Sequence, residues 1–144
     1  MDFRIIGDKE VFGIEYSPVS KGESMGVVCL WIGGVPVGTL DDATYLPSFQ
    51  FALEGLVNPE VVLSGESAIV EGDDSQICLE DTFDDFLIHR FRVRDNLVVK
   101  FKLLPKPYFR HPKLELGKTY VHFIPLNFAE KIVAEFIREI SKCS

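Results

Sequence analysis

Thirteen carboxylates lie between Gly22 and His89, a stretch that contains no Lys or Arg. These are the side chains from which the sequence could build chemistry. Adjacent pairs such as Asp73-Asp74 and Asp84-Asp85 are raw material for general acid–base catalysis. Neighbours on a strand point to opposite faces, however, so such pairs do not converge on one substrate. A hydrolase built from them would need a concave site with convergent titrating groups, which the sequence does not supply. His89, His111 and His122 lie far apart, and none stands at ligand spacing from a Cys or another His, so no metal site is expected. Gly33-Gly34 is followed by no phosphate-binding pattern, and Gly65-Glu66-Ser67 lacks the nucleophile elbow. The reading is of a protein without catalytic residues, metal or cofactor.

What the charges do support is binding. From Arg90 onward the sign reverses, with twelve Lys or Arg against five Asp or Glu, while the whole chain carries a formal charge of −7. Segregation on that scale creates a field that steers charged partners and raises association rates. Eight anions fall within twenty residues: Glu66, Glu71, Asp73, Asp74, Glu80, Asp81, Asp84 and Asp85. They are the expected contact surface for a basic protein partner. Folding of this acidic segment over a basic face of Arg90, Arg92, Arg94, Lys100 and Lys102 is the competing explanation. A pI near 4.9 argues against nucleic acid as a partner, because phosphate binding needs clustered cations.

Bulk composition bounds the rest. A chain of 144 residues, 47% hydrophobic and with twelve Phe, fits one domain (1–144) with a sizeable core. Cys29, Cys78 and Cys143 are an odd count without C-x-x-C spacing, which suits reduced thiols in the cytoplasm. Cys29, in the most apolar strand, is expected to be inert. No signal peptide or membrane span is expected.

Periodicity supplies the elements that would position these groups. Val11 to Tyr16 reads as a strand with Phe12, Ile14 and Tyr16 on one face. Met25 to Ile32 is an apolar run, consistent with a strand buried on both faces. Gly33-Gly34 signals a two-residue hairpin, with Trp31 as its core anchor. Pro36 pushes the returning strand toward a sheet edge. An amphipathic helix fits 44–57, with Asp41 and Asp42 favourable near its positive end. Short strands are possible at Val61–Leu63, Ala68–Val70 and Ile77–Leu79. Phe86 to Leu104 forms a hairpin, for which a three-residue loop (Asp95 to Leu97) sets Phe91 opposite Phe101 and collects the five cations on one face. Asn96 would be its left-handed residue, and His89 a satisfied core histidine. An irregular Pro-rich excursion precedes a strand at Lys118 to Ile124. Asn127, with Glu130, is expected to cap a final helix over 127–142. The sum is an α+β fold, an antiparallel sheet with two main helices packed against it.

Two segments of the first half add a resemblance. Ile6-Gly7-Asp8-Lys9-Glu10-Val11-Phe12-Gly13-Ile14-Glu15-Tyr16 is followed by the hairpin Cys29-Leu30-Trp31-Ile32-Gly33-Gly34-Val35-Pro36-Val37-Gly38. Over about residues 5–57 the chain resembles the bacterial immunity proteins of polymorphic toxin systems numbered forty-two, with Gly13 where Ala is expected. The resemblance implies a cytoplasmic α+β protein that binds and neutralises a cognate toxin domain, commonly a nuclease. It carries over no contact residue. The alternative is a non-enzymatic adaptor module for an endogenous protein, docking by sheet-edge pairing.

Overall fold

Alternating apolar residues give the first sheet two unlike faces. The computed structural model describes residues 2–18, 22–65 and 75–142. Strands β1 (Arg4–Asp8), β2 (Phe12–Tyr16), β3 (Met25–Ile32) and β4 (Val35–Tyr45) form an antiparallel sheet in that order. Its inner face pairs Phe12 with Ile32, Ile14 with Leu30 and Tyr16 with Val28, all buried. Gly33 and Gly34 both take positive φ (59° and 81°), as a two-residue hairpin with matching twist requires. β4 stands at the sheet edge with Pro36 opposite Trp31, where a missing N–H costs no ladder bond. The strand β1 was not among those expected from periodicity.

The second sheet holds β5 (Val62–Leu63), β6 (Gln76–Ile77), β7 (Phe86–Val93), β8 (Asn96–Leu103) and β9 (Tyr120–Pro125). β5 and β6 both pair with β7, β5 in parallel and β6 antiparallel, and the sheet continues through β8 to β9. The α+β class and both helices stand, while the strands divide between two sheets. The expected strand at Ala68–Val70 falls outside the described residues.

The β7–β8 register departs from expectation. Val93 pairs with Asn96 and Phe91 with Val98, so the turn is the two residues Arg94 and Asp95. Arg94, not Asn96, takes the positive φ, at 56°. The odd-loop argument assumed that only one face of the hairpin is apolar. In fact Phe86, Ile88, Leu97, Val99, Phe101 and Leu103 face the main core, while Phe91, Val93 and Val98 form a second small core on the other face. With both faces buried, alternation no longer selects an odd slip. The five cations therefore do not share a face: Arg90 lies opposite Val99, whereas Lys100 pairs with His89 and Lys102 with Leu87.

Both helices grow directly out of strands, and a backbone carbonyl sets each start. α1 (Leu46–Leu56) gives its first N–H to the Ser24 carbonyl at 2.8 Å, and α2 (Leu126–Ser141) gives its first to Asp95 at 2.9 Å. No side chain caps either one. Asn127 therefore sits inside the first turn of α2 and is not its cap, and Asp41 and Asp42 lie on β4, outside the first turn of α1. A neighbouring carbonyl satisfies the orphan donor as well as a side chain does.

Four rings join the layers. Phe136 of α2 meets Tyr16 edge-on at 5.5 Å and Phe49 of α1 at 5.8 Å, and Phe49 stacks on Phe83 at 5.4 Å. Phe136 and Phe49 are fully buried. Phe136→Ala should cost about 3–5 kcal/mol in urea unfolding. Phe51→Ala, at a ring that is 80% exposed, should cost less than about 0.5 kcal/mol.

Candidate functional site

The described end of the acidic segment, from Leu79 to Asp85, is packed against β4. Leu79 and Phe83 are buried, and Phe83 fits against Gly38 of β4, where a Cβ would lie 2.6 Å from the ring. The φ of Gly38 is +103°, so both its conformation and the close approach demand glycine. The turn Asp81–Phe83 is closed by bonds from the Phe83 N–H to the Glu80 carbonyl (2.8 Å) and from the Asp84 N–H to the Asp81 carbonyl (3.1 Å). The Thr82 hydroxyl bonds to that of Thr44 at the end of β4, both being buried. With the apolar side chains turned inward, Asp81 and Asp84 face solvent. Glu80 is half-buried and accepts a 2.7 Å hydrogen bond from the Ser48 hydroxyl of α1.

This crowding raises the Asp84 carboxyl above its ordinary range. Partial desolvation is the larger cause, followed by repulsion from Asp81, Glu80 and Asp85. Exposed Asp41 and Asp42 follow on β4, within three residues of the Thr44 contact. Glu66, Glu71, Asp73 and Asp74 lie outside the described residues.

Asp85 has a different position. It is only 8% exposed. One of its oxygens accepts the Tyr108 N–H at 2.7 Å, and the other accepts the Phe109 N–H at 2.9 Å and pairs with His111 Nε2 at 2.8 Å. Burial alone would push this carboxyl up. The His111 hydrogen bond, the two amides and the imidazole charge together bring it below the ordinary carboxylate range. Asp85 therefore ties the irregular segment 104–119 to the start of β7, and its carboxylate is already engaged.

Three cations are likewise occupied. Arg90 donates to the Gly55 carbonyl near the C-terminus of α1 at 3.3 Å, and to the carbonyls of Ser75 and Gln76 at 3.1 and 2.8 Å. It staples α1 to β6. Lys9 and Lys113 lie 4.5 and 4.9 Å from the ring centroid of Trp31, whose indole N–H donates to Glu15 at 2.9 Å. Trp31 is thus held in a polar clasp on the outer face of the first sheet, opposite the inner core.

A catalytic reading has one apparent foothold. Cys29 and His111 line a common cavity of about 300 Å³ together with Trp31, Pro36, Arg110 and Lys113, and His111 pairs with Asp85. The thiol, however, is the opposite of an activated nucleophile. Burial first, then the Glu15 charge, push it up to about 12, and it donates toward the Val37 carbonyl at 3.4 Å. A thiol with that value stays neutral at physiological pH. His89 is buried against Ser75, with Nδ1 2.8 Å from the hydroxyl. His122 packs on Gly33 of the β3–β4 turn. Among the described residues no group of three His, Cys, Asp or Glu is placed to hold a metal. No described helix is long and apolar enough to cross a membrane.

Fold and site together define a small α+β protein whose interior charges fasten loops and whose exposed carboxylates Asp81 and Asp84 crown a pinned turn. The chain belongs to the Immunity protein 42 family, whose model matches residues 4–77, and its function is toxin immunity. The crystal structure of a CdiI protein from Burkholderia dolosa shares the fold, with a TM-score of 0.62 over 94% of this chain and 99% of that one. At 8% identity that likeness concerns the fold alone. No curated protein sequence matches the chain.

Two outcomes test the roles assigned to the neighbouring aspartates. Asp85→Asn should cost about 2–3 kcal/mol and speed hydrogen exchange of the Tyr108 and Phe109 amides. Because the folded Asp85 value lies below the ordinary one, this contribution is complete above about pH 4 and is lost as pH falls through the folded value. Asp84, raised instead, is better tolerated protonated, so Asp84→Asn should stabilise the fold at neutral pH. Solvent screening limits that gain to about 0.5 kcal/mol, readable as a small upward shift in Tm.

Proposed function

We propose that the chain neutralises one cognate toxin domain through a carboxylate-rich contact surface, and that the toxin face it meets is basic. The observation that supports this reading is the exposure of Asp81 and Asp84 on a turn pinned by Phe83 and Thr82, in a sequence whose anions are segregated from its cations. Keeping like charges together costs stability. Asp84 carries part of that cost in its raised proton affinity. A basic partner would turn the same repulsion into attraction.

The proposed contact set is Glu80, Asp81 and Asp84, extended by Glu66, Glu71, Asp73 and Asp74, which lie outside the described residues. Asp85 serves this surface as a positioning group. A nuclease is the toxin class that fits best, since its substrate cleft must be cationic and a carboxylate array mimics phosphate charge. Rapid capture matters, because the toxin must be caught before it acts. The proposed place of action is the cytoplasm, where Cys29 and Cys78 stay reduced.

Co-expression with the toxin-like product of the adjacent gene should restore host survival and yield a co-purifying complex. Replacing Glu80, Asp81 and Asp84 by their amides should slow association about tenfold at low salt and flatten its salt dependence. Unchanged association and salt dependence would discard the acidic surface while leaving the immunity role intact.

A further inference from the structure

Among the described residues, the outer face of the first sheet is covered over one half only. Gly13, Trp31 and Pro36 form one cross-strand row on this face, and Ile5, Glu15, Cys29 and Gly38 form the next. Over β3 and β4 the chain around His111 to Leu114 closes against these rows, where it helps to line the cavity with Trp31 and Cys29. Beyond them the strands continue, and among the described residues no segment covers them as His111 to Leu114 does. Met25 and Val27 follow Cys29 and Trp31 on the same face of β3, and Tyr45 stands directly opposite Met25 on β4. Phe3 and Ile5 flank them from the β1 side.

Four of these side chains are exposed apolar groups: Phe3 at 38%, Ile5 at 43%, Met25 at 46% and Tyr45 at 47%. A shallow cavity of about 450 Å³ lies here, lined by Met25, Val27, Ala43 and Pro18 together with the carboxylate residues Asp2 and Glu23. Asp42 folds beside it, accepting the Ala43 N–H at 2.8 Å. No cation among the described residues lines this cavity.

Apolar side chains grouped on a sheet face and rimmed by one sign of charge mark an interaction surface. A ring of carboxylates selects what fills it. We propose that the open half of this face anchors the cognate toxin, receiving an apolar side chain flanked by Lys or Arg on the toxin surface. The proposal rests on the immunity reading and divides the labour within it. Exposed rim charges govern the encounter rate, whereas a desolvated apolar centre governs how long the complex lasts. Asp41 and Asp42 connect the two regions, since they lie on β4 between the Gly38 and Thr44 contacts of the acidic turn. Met25 suits the role, being unbranched and able to repack against an incoming side chain.

The test is stopped-flow association and dissociation of the full-length protein with a catalytically inactivated toxin domain from the adjacent gene. Met25→Ser/Tyr45→Ser should dissociate at least about tenfold faster, with association within about twofold of the parent. Ile5→Thr/Phe3→Ser, a second variant that keeps strand propensity in β1, should shift dissociation in the same direction. Circular dichroism of both variants should match the parent, because all four residues are substantially exposed. Parental dissociation rates in both folded variants would overturn the anchoring site and leave toxin binding intact. Failure of the unsubstituted protein to bind the toxin would instead overturn the immunity reading and this proposal with it. A concentration-dependent dimer of the free protein that Met25→Ser/Tyr45→Ser abolishes would reassign the face to a second copy of this chain.

Discussion

The Asp85 carboxylate sits at the start of β7 and accepts hydrogen bonds from two backbone amides and one imidazole of a segment more than twenty residues away. That segment, 104–119, contains three prolines and no helix or strand, so it has little secondary structure to hold its shape. A buried carboxylate with three donors supplies the missing constraint, and the low proton affinity of Asp85 keeps it charged at neutral pH. The Leu104 N–H bonding to the Asp85 carbonyl at 2.8 Å fixes the same junction a second time. With this segment anchored, Leu114 reaches the core and Lys113 reaches Trp31. The Asp85 contact thus helps to place the segment that closes over Trp31 and Cys29 on the first sheet.

The rest of the charge distribution follows a related logic. Three cations from both halves of the chain are engaged locally. Arg90 ties three backbone carbonyls together, and Lys9 and Lys113 clasp an indole ring. Buried or half-buried cations that satisfy carbonyls lose little by being hidden, because each finds an acceptor in place of water. The described anions divide differently. Asp85 is turned inward, while Asp41, Asp42, Asp81 and Asp84 are presented outward. These four exposed carboxylates lie at the end of β4 and on the adjoining turn, while Arg110 and Lys113 line the β4 cavity beside Asp41.

Local patterning made much of this legible in the sequence. The strand Met25–Ile32, the Gly33-Gly34 turn, the edge position of Pro36 and the buried stripes of both helices are consequences of period and of backbone freedom, which neighbouring residues alone express. The buried state of His89 and the inert thiol of Cys29 follow from the same patterns, because each lies in a strongly apolar strand. The resemblance carried by Ile6 to Gly38 identified the family from residues that prove to be structural: Phe12, Ile14, Leu30 and Ile32 face the core, and the glycines shape the turn.

Tertiary structure decided what depends on partners distant in the chain. The β7–β8 register escaped because a second small core, completed by Val61, Leu63 and Phe123, buries the face that alternation had marked as polar. Helix starts escaped because the carbonyls of Ser24 and Asp95, and not capping side chains, receive their first N–H groups. Asp84 and Asp85 are adjacent and chemically identical. One is exposed among like charges, the other enclosed by donors from residues 108–111, and no local signal separates them. Periodicity determined that this chain would take an α+β fold, and the order of its charges set apart an acidic region. Which carboxylates face solvent and which hold the fold together was settled only by long-range packing, since burial and hydrogen bonding are properties of surroundings that the chain assembles from afar.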